Sequence, residues 1–343
     1  MPIQTNVSLA DHSTMGLGGN AAYFMEAHTR MEVLEALSWA QTQNIAVCMI
    51  GRGSNIVWKD SGFAGLVIAN RIERYEVFTE DETNTYLTIG SGENWDSVVR
   101  RSVEANLSGI EALSLIPGAA GAVPIQNVGA YGQEIAQTLV SIEAFDTQVK
   151  DFVTLPASDC EFGYRTSRFK LKDRGRFYIT ALTLHLTTNP MQPPFYPELA
   201  GYIEEHGLTA ITPAVIREAV IDIRSHKLPD PAVVKNCGSF FANPIIPTGI
   251  IVQLETDNDA SIPNWPVSEG YVKISAAWLI GQAGFNDYHD PQTGMGTWRT
   301  QSLVMVNEHA TSTASLLAFK EKIVNAVKEK FNITLVQEPE LLP

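Results

Sequence analysis

Apolar residues recur along this 343-residue chain with two different periods, and their alternation predicts a mixed α/β molecule. Residues 31–44 carry Val33, Leu34, Leu37 and Ala40 at helical spacing and lead into an apolar strand over 45–50. Leu66, Val67 and Ile68 form a second short run, so residues 1–70 read as a small α/β unit. Two strand-like runs, 75–78 and 86–89, flank an acidic turn at 80–84. Asn94 is placed to cap a helix over 95–105 that turns Val98, Val99 and Val103 inward. Strand patterns return at 140–145 and at 177–186, where Leu182, Leu184 and Leu186 share one face and His185 takes the other, as a surface or hydrogen-bonded histidine. Residues 189–197 hold four prolines and Tyr196, the mark of an irregular excursion. Thr212-Pro213 opens a helix whose stripe runs through Val215, Ile216, Ala219, Val220 and Ile223. The run Lys227-Leu228-Pro229-Asp230-Pro231 then breaks the chain. Beyond it the pattern gives a helix from Ser275, a strand over 302–306 and a long amphipathic helix over 312–331.

Periodicity fades between Leu107 and Gly132, as in a long functional loop. That stretch contains one of two glycine-rich segments; the other is Gly51-Arg52-Gly53-Ser54-Asn55, just after a strand. The longer one runs from Pro117-Gly118 through Gly121 and Gln126-Asn127 to Gly129-Ala130-Tyr131-Gly132. Small residues let backbone amides approach an anion closely, and two such segments suit the diphosphate of a dinucleotide. Neither is a P-loop, and neither fits Gly-x-Gly-x-x-Gly at a strand-to-helix turn. A single glycine cluster would read as a tight surface loop; the joint length and the paired amides favour a cofactor cradle.

A formal net charge of −14 argues against a general nucleic-acid surface, so cations must be concentrated locally wherever an anion binds. Cys48, Cys160 and Cys237 are widely spaced, without a Cys-x-x-Cys pair or a zinc-type cluster, which suits a reducing compartment. No apolar run is long enough to cross a bilayer, and the start lacks a signal-peptide pattern. A soluble cytoplasmic monomer is expected, with small molecules as partners.

Two further segments offer chemistry. Gly238-Ser239-Phe240-Phe241-Ala242-Asn243-Pro244 could present Ser239 to a cavity, although it is no nucleophile elbow and a turn-capping serine is the bland alternative. Cys237 beside it is expected to pack. Tyr164-Arg165-Thr166-Ser167-Arg168-Phe169-Lys170 carries arginine forks suited to a carboxylate or phosphate, or else a cationic surface run. The acidic end around Glu338 and Glu340 reads, alone, as a solvated tail.

Taken in order, these segments resemble the UDP-N-acetylenolpyruvoylglucosamine reductase family over nearly the whole chain. The matching pieces also include Ser13-Thr14-Met15-Gly16, Ile116-Pro117-Gly118, Ala276-Ala277-Trp278-Leu279-Ile280 and Pro339-Glu340. The resemblance implies an α+β fold: a two-part FAD-binding unit of the vanillyl-alcohol-oxidase (PCMH) type, plus a C-terminal α+β substrate-binding domain. It places the first subdomain at 1–70, with 333–343 returning to it, the second at 71–228 and the substrate domain at 229–332. The proline-rich stretch is similar to the insertion of the longer-type members, in which a tyrosine matching Tyr196 folds over the substrate.

Further implied are noncovalent FAD, NADPH as co-substrate, and reduction of UDP-N-acetylglucosamine enolpyruvate to UDP-N-acetylmuramate for peptidoglycan. The family's proton donor falls on Ser239, and its catalytic arginine and glutamate fall on Arg165 and Glu340. Substrate contacts match Tyr164, Tyr196, Lys227 and Asn243, with Gln301 in addition. Cofactor contacts match Gly51, Arg52, Gly53, Ser54, Asn55, Pro117, Gly118, Gly121, Gln126, Asn127, Gly129, Ala130 and Tyr131. Met15 stands where phenylalanine is usual, and Leu341 where the family commonly continues with valine-arginine, which removes a cation near Glu340. The rival readings are a flavin oxidase of the same cofactor fold and a UDP-sugar binding protein without catalysis.

Overall fold

The computed structural model describes residues 2–343, and the chain divides into two compact units. The first comprises the segment up to Val7, Ala21–Arg52 and Phe63–His226; the second comprises Ser8–Asn20, Gly53–Gly62 and Lys227–Pro343.

In the first unit, strands Asn20–Ala27 and Val47–Ile50 both lie parallel to Phe63–Asn70. The helix Arg30–Gln43 makes the crossover between them. Its start is fixed by a capping box: the Glu32 amide donates to Thr29 Oγ1 at 3.1 Å and the Thr29 amide to Glu32 Oε2 at 3.2 Å. Asn44 ends it in a left-handed conformation, so the strand begins at Val47 rather than at residue 45.

A five-stranded antiparallel sheet follows, in the spatial order Asp151–Pro156, Leu139–Asp146, Phe177–Thr187, Asn84–Gly90, Tyr75–Thr79. Leu182, Leu184 and Leu186 are buried from its long central strand, together with Val98 and Val99 of the helix Trp95–Glu104, which Asn94 caps as the sequence suggested. Each such side chain contributes about 1.5–3 kcal/mol when fully buried. His185 is hydrogen-bonded to Asn84 at 2.9 Å, a satisfied histidine.

The proline-rich excursion ends at Tyr196, which opens an unanticipated helix, Pro197–Glu205. With Pro213–Lys227 it builds a small core of Leu199, Ile216, Ala219 and Val220 against Ala112, flanked by Tyr131 and Tyr196. Arg217 ties the second of these helices to Asp96 through two bonds of 2.7 and 3.0 Å. Burial would raise the Asp96 carboxyl, but the Arg217 fork and the Leu115 amide outweigh it and hold the group below its ordinary value. A depressed carboxylate adds stability above its unfolded value of about 3.9 that is lost as pH falls through the folded one. Asp96→Asn should therefore lose less stability than the natural chain between neutral pH and about pH 3. Denaturant midpoints at the two pH values measure this, and identical losses would refute it.

In the second unit, strands Asn236–Ser239, Gln301–Asn307, Met295–Trp298 and His289–Asp290 form a sheet in that order. The helices Ala276–Gln282 and Thr313–Phe331 bury Leu279, Ile280, Leu316, Phe319 and Ile323 in the same core. Ser275 and Ser312 cap them, each hydroxyl accepting from a backbone amide of the first turn. A three-stranded sheet, Ile245–Pro247, Tyr271–Ile274 and Asn264–Ser268, and the helix Thr248–Asn258 had no clear periodic signature. Glu340–Leu342 pairs in parallel with Ile56–Trp58, so the acidic end is a strand and not a solvated tail. Among the described residues no helix is long and apolar enough to cross a membrane.

Candidate active site

Within the first unit the two glycine-rich segments meet. A Cβ built on Gly51 would stand 3.0 Å from Ala119 Cβ and 3.6 Å from Ala122 Cβ. One on Gly121 would stand 2.5 Å from Ser91 Cβ, while the Gly121 amide donates to the Ser91 carbonyl at 2.9 Å. Gly118 has φ +140°, where a side chain is strained, and its carbonyl accepts from the Trp95 amide. Arg52 reaches the Gly92 carbonyl at 3.4 Å. A third small-residue segment, Gly90-Ser91-Gly92, therefore joins the other two. The sequence reading missed it because Gly90 ends a strand and Asn94 caps a helix, so it passed as an ordinary junction.

The far end of the long loop holds itself together. Asn127 is buried; its amide donates to Glu134 Oε2 at 2.8 Å and to the Gly163 carbonyl at 3.2 Å, and its Oδ1 accepts from the Ala136 amide. Its side chain thus organises the loop, and it can serve a cofactor only through the backbone. Gln126 Oε1 lies 3.5 Å from Lys170 Nζ. Gly129–Ala130 pairs with Gln133–Glu134. Arg165 donates from Nη2 to the Gly129 carbonyl at 2.8 Å, and a Cβ on Gly129 would stand 3.3 Å from its Nη1. Arg165 has φ +53° and Tyr131 φ +48°, a left-handed backbone costing a side-chain-bearing residue about 1–3 kcal/mol. Tyr131 packs edge to face with Tyr196, centroids 5.9 Å apart, and the Arg165 guanidinium lies 5.4 Å from the Tyr164 ring. Burial pushes the Tyr131 phenol up to about 12, so it remains a neutral donor.

The second unit gathers the remaining predicted residues. Gly53 has φ +74°, its carbonyl accepts from the Thr14 amide at 3.1 Å, and a Cβ there would lie 2.1 Å from the His12 carbonyl oxygen. Asn55 accepts from the Glu340 amide at 3.0 Å, so the first glycine segment is bonded to the terminal strand. That strand's approach also runs beside 240–242: the Glu338 amide donates to the Phe240 carbonyl and the Ala242 amide to the Val336 carbonyl.

Ser239 pairs with Val304 and Asn236 with Val306, leaving one extra residue on the serine's strand. This bulge, with Gly238 at φ +75° and its amide held by Asn236 Oδ1 at 2.9 Å, sets the direction of the serine. Ser239 is half-buried, and among the described residues its hydroxyl makes no intramolecular hydrogen bond, unlike a serine that caps a turn. Cys237 is buried and its thiol is pushed far above the ordinary range by that burial, with Glu338 adding to it, as befits packing. Asn243 Oδ1 accepts from the Ala276 amide at 2.9 Å, Gln301 opens the neighbouring strand, and the Lys227 carbonyl accepts from Thr300 Oγ1.

The donor set around 51–52, 90–92 and 117–122 fits a dinucleotide: three glycine segments in contact, Arg52 exposed beside them, and a buried Ser91 hydroxyl without a hydrogen-bond partner among the described residues.

Comparisons with known proteins agree. A family model described as an FAD binding domain matches residues 21–148, and the C-terminal domain model of UDP-N-acetylenolpyruvoylglucosamine reductase matches 230–342. The reductase of that name from Thermobifida fusca is 38% identical over 350 residues, covering 98% of this chain and 97% of the relative. One from Pseudomonas fluorescens is 34% identical over 341 residues, covering 99% of each. The crystal structure of the Thermus caldophilus enzyme superposes with a TM-score of 0.69 over the whole of both chains at 22% identity, a likeness of fold. The molecule is thus an α+β flavoprotein oxidoreductase with a PCMH-type FAD domain. The chain belongs to the UDP-N-acetylenolpyruvoylglucosamine reductase family.

Proposed function

We propose that this protein reduces UDP-N-acetylglucosamine enolpyruvate to UDP-N-acetylmuramate at the expense of NADPH, a step in peptidoglycan precursor synthesis. Full-length kinship with reductases of that name supports the reading. The observation that carries the residue assignment is the open Ser239 hydroxyl on its bulge, in the same unit as the strand-held Glu340.

Bound FAD supplies the two-electron relay between NADPH and the vinyl carbon of the substrate. Gly51, Arg52, Gly53, Ser54, Asn55 and the loop from Pro117 to Tyr131 would hold it. No histidine or cysteine occurs in either segment, so the attachment is noncovalent. Acid precipitation should release all the yellow colour into the supernatant; colour retained in the pellet would overturn this.

Hydride addition to the terminal carbon of the enolpyruvyl group pushes negative charge onto the neighbouring carbon and its carboxylate. Arg165 is assigned to stabilise that charge with its fork, one arm of which the Gly129 carbonyl already aims. Ser239 is assigned to give its proton to the alpha carbon, completing addition of two hydrogens across the double bond, and to regain one from water. Glu340, in its protonated form, would donate to the same carboxylate. Tyr164, Tyr196, Lys227, Asn243 and Gln301 are assigned to the sugar nucleotide, with the compact Lys227 ammonium suited to a diphosphate. The three-part division at 1–70, 71–228 and 229–332 is retained with this assignment.

The test is NADPH consumption that depends on the enolpyruvyl sugar and yields a product heavier by two hydrogens. Oxygen uptake with simple alcohols, and none of that dependence, would favour the oxidase instead.

A further inference from the structure

The strand Tyr75–Thr79 ends one side of the five-stranded sheet, and Glu76 through Thr79 are all exposed. Its bonding parity is set at both ends. The Gly90 amide donates to the Arg74 carbonyl at 2.9 Å, and the Glu80 amide to the Asn84 carbonyl at 3.0 Å. The register between them pairs Glu76 with Thr88 and Phe78 with Tyr86, so these residues aim their backbone groups at the neighbouring strand. Tyr75, Val77 and Thr79 therefore each turn an N–H and a C=O away from the sheet. Among the described residues no loop or other strand bonds to that edge.

The side chains make the edge adhesive and give it a sign. Val77 lies opposite the buried Leu87 yet is 53% exposed, and Phe78, on the other face, is 66% exposed. The core stops short of this strand, and apolar surface stands bare on both its faces. Native edges are ordinarily blunted by Lys, Pro, a bulge or a covering loop, and this strand keeps an unbroken register without them. Its surplus charge is acidic. Glu73, Glu80 and Glu82 form no ion pair among the described residues, whereas Arg74 is held by Glu76 at 2.6 Å and by Glu143 at 3.2 Å. A second copy laid along the strand would bring like charges together, which disfavours self-pairing.

We propose that this edge is a docking site for an extended basic segment of a partner protein, which adds to the sheet as a further strand. The segment alternates β-branched residues, which cover Val77, with Lys or Arg on the face of Glu76, Phe78 and Glu80. A lysine stem covers the Phe78 ring while its ammonium reaches the carboxylates beside it. The inference is independent of the function proposed above.

The experiment titrates the flavin-loaded protein into a fluorescent peptide of alternating lysine and valine and reads anisotropy at low salt. Three comparisons accompany it: the same peptide N-methylated at alternate residues, an alternating glutamate–valine peptide, and the variant Val77→Pro. Proline at 77 removes an outward donor and leaves the internal ladder its bonds. The lysine–valine peptide should bind, and N-methylation or Val77→Pro should weaken it by about tenfold or more. The glutamate–valine peptide should not bind, and added salt should loosen the complex. Absence of binding by the natural chain, equal binding of the N-methylated peptide, or equal binding of the acidic one overturns the proposal. If Val77→Pro fails to fold, the N-methylated peptide decides the matter on the natural chain. Sedimentation gives the last outcome: a concentration-dependent dimer that Val77→Pro abolishes assigns the edge to a second copy and overturns the basic partner.

Discussion

Ser239→Ala is expected to leave NADPH bleaching of the flavin nearly unchanged and to slow its recolouring by the enolpyruvyl sugar by on the order of a hundredfold or more. The asymmetry follows from where the hydroxyl acts. In the role proposed for it, the hydroxyl protonates the alpha carbon, a step confined to the sugar's half of the cycle, and has no part in the nicotinamide's half. The substitution removes one oxygen from a strand whose bulge is fixed by Gly238 and Asn236, so the backbone should survive. Rapid-mixing spectroscopy of the two halves separates the outcomes. Equal losses in both would point to a damaged fold and remove Ser239 from the chemistry.

Arg165→Ala is expected to cost a similar or larger factor in kcat, with a smaller change in KM. A fixed guanidinium facing a carboxylate that gains charge in the transition state stabilises that state more than the ground state. The backbone supports this reading: Arg165 occupies a left-handed conformation and is pinned to the Gly129 carbonyl at 2.8 Å, strain tolerated to aim the fork. Arg165→Lys keeps the charge but not the two-pronged geometry, and should recover only a minor part of the rate. If alanine raised KM and spared kcat, Arg165 would serve ground-state binding alone.

Much of the fold was legible wherever a face is half-buried over several turns or residues. Val98 and Val99 behind the Asn94 cap, and Leu182, Leu184 and Leu186 along the central strand, are buried as their spacing required. Elements without a stripe escaped. The helix Thr248–Asn258 exposes Ile250 and Val252, and the helix after Tyr196 begins inside what reads as proline-rich loop. Pairings distant in sequence carry no local signature either, which is why Glu340 reads as a solvated end although its strand lies along Ile56–Trp58.

The site shows the same division. Glycine content marks Gly51 and the loop through Tyr131, but Gly90-Ser91-Gly92 becomes part of the cradle only once Gly121 is seen against Ser91. Asn127 looks like a ligand-facing amide in sequence and is a buried brace in the fold. Arg224 has the spacing of a routine helix surface residue, and its covered Nε and its bond to the Leu115 carbonyl set it apart.

The most direct test begins with the flavin-loaded protein bleached by NADPH under anaerobic conditions and freed of excess nucleotide. UDP-N-acetylglucosamine enolpyruvate is then added. The yellow absorbance should return within the time of a turnover, with one equivalent of UDP-N-acetylmuramate formed per flavin. A flavin that stays bleached until oxygen is admitted would contradict the account.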